Sequence, residues 1–292
     1  MKFISRSNDR TLPGDYAGDV MVWDIDKTYL DTHFSSWRGL MRIPFELAID
    51  KRAMAGSVPL LRGLRHGGTE QSSIVPLYFI SGSPIQLRKT IERKMVLDGV
   101  DFDGITFKDQ WGLVRAGRAK DVKAQIGYKL KSLLALKRDV PGPSRFFLFG
   151  DDVEADAEVF VLFGRVCAGE LRDEVLTRHL ADKNVHPVDI AEIRTLCDDL
   201  PVTEDPVERV FILLSEGGDP KRFSDDKVVA TYSYLQTALV LAQLGRVRPQ
   251  IVGAVAKDLR RRQVPEFTIR RDIDDASRRL GVSAEICAHA ER

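Results

Sequence analysis

Cysteine is scarce in this chain, and long apolar runs are missing. Its three cysteines are far apart and form no C-x-x-C pair, so neither a disulfide framework nor a zinc site is indicated. Residues 1–18 lack the apolar core of a signal peptide, and the most apolar stretch, Leu235 to Leu244, is too short to span a bilayer. We therefore expect a cytoplasmic protein.

An excess of charge of one sign is missing as well. The chain has 44 basic and 43 acidic residues, and its net charge of +1 gives no strong nucleic-acid signal. Apolar residues make up 43% of the 292 positions and charged residues 30%, as in ordinary globular proteins. This length suits one large domain with a smaller appendage, or two modest domains.

The first half of the chain repeats one pattern, in which a short apolar run ends in a polar residue and helical sequence follows. This alternation predicts an α/β fold with a parallel sheet flanked by helices. Ligands bind such sheets at the carboxyl ends of the strands, where these polar residues would lie. The runs are Val20–Trp23 before Asp24, Ile74–Ile80 before Ser81, Ile105–Phe107 before Lys108 and Phe146–Phe149 before Gly150, and a further strand is predicted near Val166.

The helix after the second run has clear boundary signals. Ser83 is the predicted N-cap, Pro84 the first helical residue and Gln86 the partner in a capping box, and Gly99 marks the end. The sequence therefore predicts a strand that leads directly into a helix at Ser83.

We predict two regions, residues 1–198 with the parallel sheet and residues 199–292 as a helical C-terminal domain. A helical insertion at about 32–73 has six basic and two acidic residues between Arg38 and Arg65. These suit an anionic substrate such as a lipid headgroup, although a solvated helical face explains them equally well. The C-terminal helices are predicted from Asp205 to before Gly217, from behind Ser224 to Gly245, from Pro249 to Arg262 and from Thr268 to Leu280.

Two carboxylates, Asp24 and Asp26, lie one residue apart directly after the first apolar run. Charges this close are unfavourable unless a cation joins them. Mg²⁺ suits the position, because it binds a few carboxylate and carbonyl oxygens and leaves room for water and phosphate. Asp-x-Asp alone is weak evidence, since sugar transferases also use it to bind metals and exposed loops carry it by chance.

A second acidic segment, Gly150 to Asp156, follows the fourth run. A helix-capping role would explain Asp151 or Asp152 but not four acids in six positions. Acidic clusters at two strand ends therefore strengthen the prediction of a metal site.

The third segment, Ile80 to Ser83, combines a strand end with a helix start. The Ser81 hydroxyl and the backbone at Gly82 are predicted to contact an anion at this helix N-terminus. Phosphate is the ligand that we expect there.

In their order along the chain, Asp24 first, then Ile80 to Ser83, then Gly150 to Asp156, the three segments resemble the first, second and fourth motifs of the haloacid dehalogenase superfamily. Within it, residues 20–171 are most similar to the lipin-like, actin-patch type of phosphatidate phosphatase. The likeness rests on Asp-Ile-Asp-x-Thr at Asp24, Tyr-x-x-Ser-x-Ser-Pro at Tyr78, Tyr-Lys-Leu at Tyr128 and Gly-Asp-x-x-x-x-Asp-x-Glu-x-aromatic at Gly150. The residues that depart from that family's usual pattern are Lys27, Gly82, Ile85 and Ala157, so the resemblance to the superfamily is stronger than that to lipid phosphatases.

The resemblance implies a Rossmann-like sheet with a short helical cap and an Mg²⁺-dependent hydrolase. Asp24 would be the nucleophile that forms an aspartyl-phosphate, and Asp26 the general acid and base. The other expected roles are metal binding by Asp24, the Asp26 carbonyl, Asp151 and Asp156, and phosphate binding by Ser81, Gly82, Lys129 and Thr28, of which Thr28 would also pin the loop. Lys123 and Lys120 are the alternatives to Lys129 as the third-motif lysine.

Two functions of different class remain open. The first is a phosphomonoesterase that acts on phosphatidate or another phosphorylated small molecule, with peripheral membrane contact for a lipid, or on phosphoproteins or nucleic-acid ends. The second is a binding module that recognises phosphate or Mg²⁺ without turnover. For the C-terminal helices we consider a protein partner and self-association.

Overall fold

In the part of the chain that the structure describes, a seven-stranded sheet with helices on both faces forms the centre of the molecule. The computed structural model describes residues 2–31, 52–68, 74–122, 124–140 and 142–291. Its strands are β1 (Ile4–Asn8), β2 (Asp19–Asp24), β3 (Leu77–Pro84), β4 (Gly104–Lys108), β5 (Arg145–Asp151), β6 (Val207–Leu213) and β7 (Val228–Thr231). The strand order is β1-β4-β3-β2-β5-β6-β7; β1 pairs antiparallel with β4, and the other neighbours are parallel. The predicted α/β fold is confirmed.

Helices cover both faces of this sheet. The α-helices are α1 (Ser57–Arg65), α2 (Arg88–Leu97), α3 (Gln110–Arg115), α4 (Ile126–Asp139), α5 (Asp156–Cys167), α6 (Asp173–Asp182), α7 (Pro187–Asp198), α8 (Tyr234–Gln243), α9 (Pro249–Arg261), α10 (Glu266–Leu280) and α11 (Ala284–Cys287). One core contains residues of α1, α2 and α8 to α11, and the other contains residues of α4 to α7. Among the described residues, no helix is both long and apolar enough to span a bilayer.

The central strand β2 shows why this sequence forms a buried sheet. Met21 and Trp23 belong to one core and Val20 and Val22 to the other, as the two-residue period of a strand requires. All four side chains are at most 1% exposed. Burial of each contributes roughly 1.5–3 kcal/mol to folding, so a near-continuous apolar run is stable only between two layers of helices.

The region after residue 199 is not purely helical, which corrects our prediction. Residues 207–213 form β6 in place of the predicted helix, and residues 228–231 form β7, so that α8 begins only at Tyr234. Both strands extend the same sheet that the earlier residues build. The predicted ends of the later helices are confirmed at Gly245, whose φ is 67°, and for α9 and α10.

The prediction of a strand near Val166 is wrong, because this residue lies in α5. Strand β1 was not predicted; its sequence is mostly polar and it pairs at the edge of the sheet. Of the predicted insertion, the structure describes residue 52 to residue 68, which include α1, whereas residues 32–51 and 69–73 lie outside the described part of the chain.

Candidate active site

Strand β2 places Asp24 at the middle of the carboxyl edge of the sheet. The strand lies between β3 and β5, and all three run parallel. Asp24 is 1% exposed, and the N–H of the next residue, Ile25, donates to the Ile80 carbonyl at 3.1 Å. Asp24 is therefore a buried carboxylate at the position where a parallel sheet binds its ligands.

The loop after β2 turns tightly around one carbonyl. The N–H groups of Thr28, Tyr29 and Leu30 lie 3.4, 3.0 and 2.9 Å from the carbonyl oxygen of Ile25. The Thr28 hydroxyl donates to the carbonyl of Asp26 at 3.5 Å. Thr28 thus makes the loop-supporting contact that we expected of it.

The Asp26 side chain faces the end of β3. Its Oδ2 accepts hydrogen bonds from the Ser81 hydroxyl at 3.0 Å and from the Ser83 N–H at 3.1 Å. Its Oδ1 accepts one from the Ser83 hydroxyl at 2.6 Å. Asp26 and Ser81, which are distant in sequence, therefore meet, and Ser83 joins them.

These contacts correct the predicted capping role of Ser83. Strand β3 continues to Pro84, a 3₁₀ turn follows at Ile85–Leu87, and no described side chain caps this turn or α2. The Ser83 hydroxyl donates to Asp26 instead. Gly99 follows the end of α2 with a φ of 61°, which confirms the predicted end of the helix.

Three carboxylates form a cluster beside the loop. Asp24, Asp151 and Asp156 each present an oxygen, and these three atoms lie within 4.8 Å of one another. Oδ1 of Asp151 accepts hydrogen bonds from the N–H groups of Val153 at 2.6 Å and Glu154 at 2.9 Å. Oδ2 of Asp24 and Oδ2 of Asp151 are buried and accept no hydrogen bond from any described residue. Orphaned oxygens of this kind suit a bound cation.

Gly150 makes this cluster possible. A Cβ atom at this position would collide with the Asp156 carboxylate, so a larger residue would displace it. Oδ2 of Asp156 accepts the N–H of Asp151 at 3.1 Å. The start of α5 is thereby tied to the end of β5.

Lys129 provides the only amino group that the structure places among these carboxylates within the described residues. It lies in the first turn of α4, is 0% exposed, and its Nζ is 2.8 Å from Oδ1 of Asp24. The same Nζ is 2.8 Å from Oε2 of Glu154 and also pairs with Asp156. The lysine predicted for the third motif therefore lies at the centre of the acidic cluster.

Of the two alternative lysines, the structure describes Lys120. Lys120 lies exposed in a 3₁₀ turn, and Lys123 is outside the described residues. The neighbouring Tyr128 fixes α4 against the sheet, since its hydroxyl donates to the carbonyls of Ser81 at 2.7 Å and Thr106 at 3.0 Å. This contact positions Lys129 relative to β3.

Burial governs the protonation of the whole cluster. It raises the pKa of Asp24 well above the usual value and also raises the pKa values of Asp26 and Asp156. For Asp151, burial and then the charge of Asp156 raise the pKa to about 6. Burial alone would lower the pKa of Lys129, but the carboxylates of Asp156, Asp24 and Glu154 hold it well above its usual range. One ammonium group does not balance the surrounding carboxylates, so the cluster favours protons or a further cation.

This imbalance predicts the pH dependence of stability in the metal-free protein. Because the pKa of Asp151 is raised to about 6, the folded chain binds this proton more tightly than the unfolded chain. The stability that the proton contributes is present below the unfolded pKa and is lost as the pH rises through about 6. We expect Tm to fall between about pH 5 and about pH 7, and to fall less in Asp151→Asn. Scanning calorimetry in chelator would check this, and identical profiles for the two proteins would contradict it.

The Gly82 backbone faces a glutamine that we had not predicted. A Cβ at Gly82 would lie 2.7 Å from Nε2 of Gln125, the residue before α4. Nε2 of Gln125 donates to Glu154 at 3.3 Å, and the Gly82 carbonyl accepts from Gln110 at 2.6 Å. Glycine therefore allows the predicted phosphate segment to pack closely against the start of α4.

The structure divides the predicted residues into two adjoining groups. Asp24, Asp151, Asp156 and Lys129 form one, and Asp26 with Ser81 and Thr28 forms the other on the loop and β3. Glu154, Gln125 and Tyr234 contact these groups and had no assigned role, and Ser83, which was predicted only as a helix cap, contacts Asp26. The acid-rich run hinted at Glu154, whereas no local pattern indicated Tyr234.

Comparison of the chain with family models, with curated proteins and with solved structures finds no match.

Proposed function

We propose that this chain is a Mg²⁺-dependent phosphomonoesterase of the haloacid dehalogenase type, acting on phosphatidate or another phosphorylated metabolite through an aspartyl-phosphate. The observation that carries the proposal is the pairing of one buried lysine, Lys129, with both Asp24 and Asp156. A lysine held at this position neutralises a nucleophilic carboxylate and offers N–H donors to an incoming phosphate. Sequence motifs that are distant in the chain converge at this one point.

The carboxylates of the two groups are suited to different tasks. Asp24 lies in the cluster with Lys129, whereas the Asp26 side chain accepts hydrogen bonds from Ser81 and Ser83. Burial raises the pKa of both residues, most strongly that of Asp24, so the division of roles rests on these contacts and on a cation that would keep Asp24 ionised. This separation supports the assignment of Asp24 as nucleophile and Asp26 as acid and base.

The proposed reaction uses these groups in two displacements. An oxygen of Asp24 attacks phosphorus as the bond from phosphorus to the leaving alkoxide breaks, and Asp26 gives its proton to that alkoxide. Asp26 then takes a proton from water, which attacks phosphorus and releases phosphate and the free Asp24 carboxylate. The Ser81 hydroxyl, the Gly82 N–H and Lys129 would contact the phosphate oxygens on which charge accumulates.

The three clustered carboxylates fit a hard cation. The unsatisfied oxygens of Asp24 and Asp151, with Asp156 beside them, form an all-oxygen donor set that suits Mg²⁺. When bound there, with the Asp26 carbonyl as a further ligand, Mg²⁺ would offset the repulsion between a carboxylate nucleophile and an anionic phosphate.

The first test of the proposed function is its metal requirement. Hydrolysis of p-nitrophenyl phosphate should be lost in EDTA, return with Mg²⁺ and be inhibited by Ca²⁺, whose longer bonds and looser coordination suit an in-line displacement poorly. Turnover that persists after rigorous chelation would refute the metal assignment.

A selective phosphatase need not hydrolyse p-nitrophenyl phosphate, so the assay needs a wider panel of phosphorylated substrates. Phosphorylated metabolites, phosphopeptides and vesicles containing phosphatidate should be assayed for phosphate release with Mg²⁺. Release from at least one class is expected. If Mg²⁺ binds, as calorimetry can show, but no substrate is hydrolysed, the chain is a binding module and the proposal is wrong.

A further inference from the structure

A tyrosine of the C-terminal helices reaches the loop that carries the two predicted catalytic aspartates. Tyr234, the first residue of α8, donates its hydroxyl hydrogen to the carbonyl of Thr28. Tyr234 is 3% exposed and Thr28 is 0% exposed, so water does not replace this contact readily. Residue 28 is thus held from three sides, by Tyr234 at its carbonyl, by Ile25 at its N–H and by Asp26 at its hydroxyl.

The ring of Tyr234 extends this contact into the sheet. It stacks on Trp23, with ring centroids 5.3 Å apart, and Trp23 directly precedes Asp24. Trp23 stacks in turn on Phe149 at 4.4 Å, and Phe149 on Phe211 at 5.1 Å. A row of aromatic rings therefore runs from α8 across β2, β5 and β6, beneath the strand ends that carry the acidic cluster.

Helix α9 and the residue after it contact residues 53–56, which belong to the segment that pairs with the same loop. The N–H of Asp31 donates to the carbonyl of residue 52 at 2.9 Å, and the N–H of Met54 donates to the Tyr29 carbonyl at 2.9 Å. Asp258 of α9 accepts the N–H of Gly56 at 2.9 Å. Arg262, next after α9, donates to the Ala53 carbonyl at 2.7 Å and pairs with Asp258 at 2.8 Å.

We infer that α8 and α9 position the Asp24–Asp26 loop for catalysis, with the Tyr234 hydroxyl as the decisive positioning group. The inference rests on the proposed function for its catalytic part. Tyr234 acts on the site indirectly, through the Thr28 carbonyl and the Trp23 ring. The C-terminal helices then form part of the catalytic framework in addition to any partner that they bind.

The protonation of the Tyr234 hydroxyl and the burial of its acceptor support this positioning role. Burial raises the pKa of Tyr234 well above its usual range, so the hydroxyl keeps its hydrogen and remains a donor. Loss of the donor would leave the buried Thr28 carbonyl without this partner, and the loop would open more often. A small displacement of a reacting group lowers turnover more than it lowers substrate binding.

The test compares Tyr234→Phe with Tyr16→Phe as a matched control. Tyr16 also donates its hydroxyl hydrogen to a main-chain carbonyl, that of Asp19 at 2.9 Å, but at the opposite end of β2. In Tyr234→Phe we expect amide hydrogen exchange in a peptide spanning residues 25–31 to quicken by about fivefold. We also expect kcat to fall roughly tenfold with little change in KM. Tyr16→Phe should change neither quantity.

Exchange measured by mass spectrometry does not require turnover, so the two proposals can fail separately. If the wild type hydrolyses no substrate, the proposed function fails, and exchange alone decides whether Tyr234 positions the loop. Unchanged exchange in residues 25–31, or a uniform rise along the whole chain, overturns the inference. In an active enzyme, an unchanged kcat in Tyr234→Phe overturns it too.

Discussion

Asp24→Asn is expected to reduce hydrolysis of phosphate esters by roughly 10⁴-fold or more, the scale seen when a covalent nucleophile is removed. An asparagine amide keeps the volume of the side chain but is a poor nucleophile and a weaker metal ligand. The fold should survive, because Lys129 retains its ion pairs with Glu154 and Asp156. Because burial makes an ionised Asp24 unfavourable, a neutral amide at this position should leave the metal-free Tm unchanged or higher.

A matched control for this variant lies on the same strand. Asp19 begins β2, where its carboxylate pairs with Arg145 at 2.7 Å and with Arg246 at 3.2 Å. Asp19→Asn removes the same charge at the opposite end of the sheet and should retain near wild-type activity. Steady-state rates with a saturating substrate would check both variants, and undiminished activity in Asp24→Asn would exclude Asp24 as the nucleophile.

Sequence alone predicts the central strands because burial on both faces leaves a direct mark on composition. Apolar residues at 20–23 and 146–149 pack against both layers of helices, and each run ends where β2 and β5 reach the site. The sequence therefore predicts Asp24 and Asp151 at one edge of the sheet. In the structure Trp23 of β2 and Phe149 of β5 are partners in a parallel pair, so the two strands end side by side.

Strand β6 shows where local pattern is ambiguous. Its apolar residues, at 207 and 210–213, also match the spacing of a helix face, and Asp205 with Pro206 imitates a helix start. In the structure Oδ1 of Asp205 accepts the Val207 N–H at 2.8 Å, so this carboxylate caps the start of a strand. Pairing with β5, which no local signal reports, decided between the two structures.

The candidate site was predictable to the extent that its residues lie in short motifs at strand ends. The local sequence around Ser83 matches a helix cap. Its partner in the structure, Asp26, lies 57 positions away and leaves no mark on that local pattern. Glu154 was visible only as one acid among four, and its contact with Lys129 depends on how α4 packs beside β5. Tyr234 lies 206 positions from Thr28, and only the packing of α8 against the sheet brings them together.

The role of Asp26 separates the proposed chemistry from a site that merely binds phosphate and metal. Asp26→Asn should preserve the local geometry, because an amide oxygen can accept from the Ser83 N–H while the amide nitrogen donates to the Ser83 hydroxyl. Mg²⁺ binding should remain largely intact, since the side chain of Asp26 is not among the three clustered carboxylates. The variant loses the proton that the proposed acid supplies.

We therefore expect the loss in Asp26→Asn to depend on the leaving group. With an alkyl phosphate, whose alkoxide is a poor leaving group, kcat/KM should fall by about 10²-fold or more, and with p-nitrophenyl phosphate the loss should be clearly smaller. Ser83→Ala is the control: it removes a hydrogen bond to Asp26 but keeps the acid, so its effect should be similar on both substrates. An equal loss on both substrates in Asp26→Asn would show that Asp26 acts through the shape of the loop or through the metal, because only proton donation becomes less important as the leaving group improves.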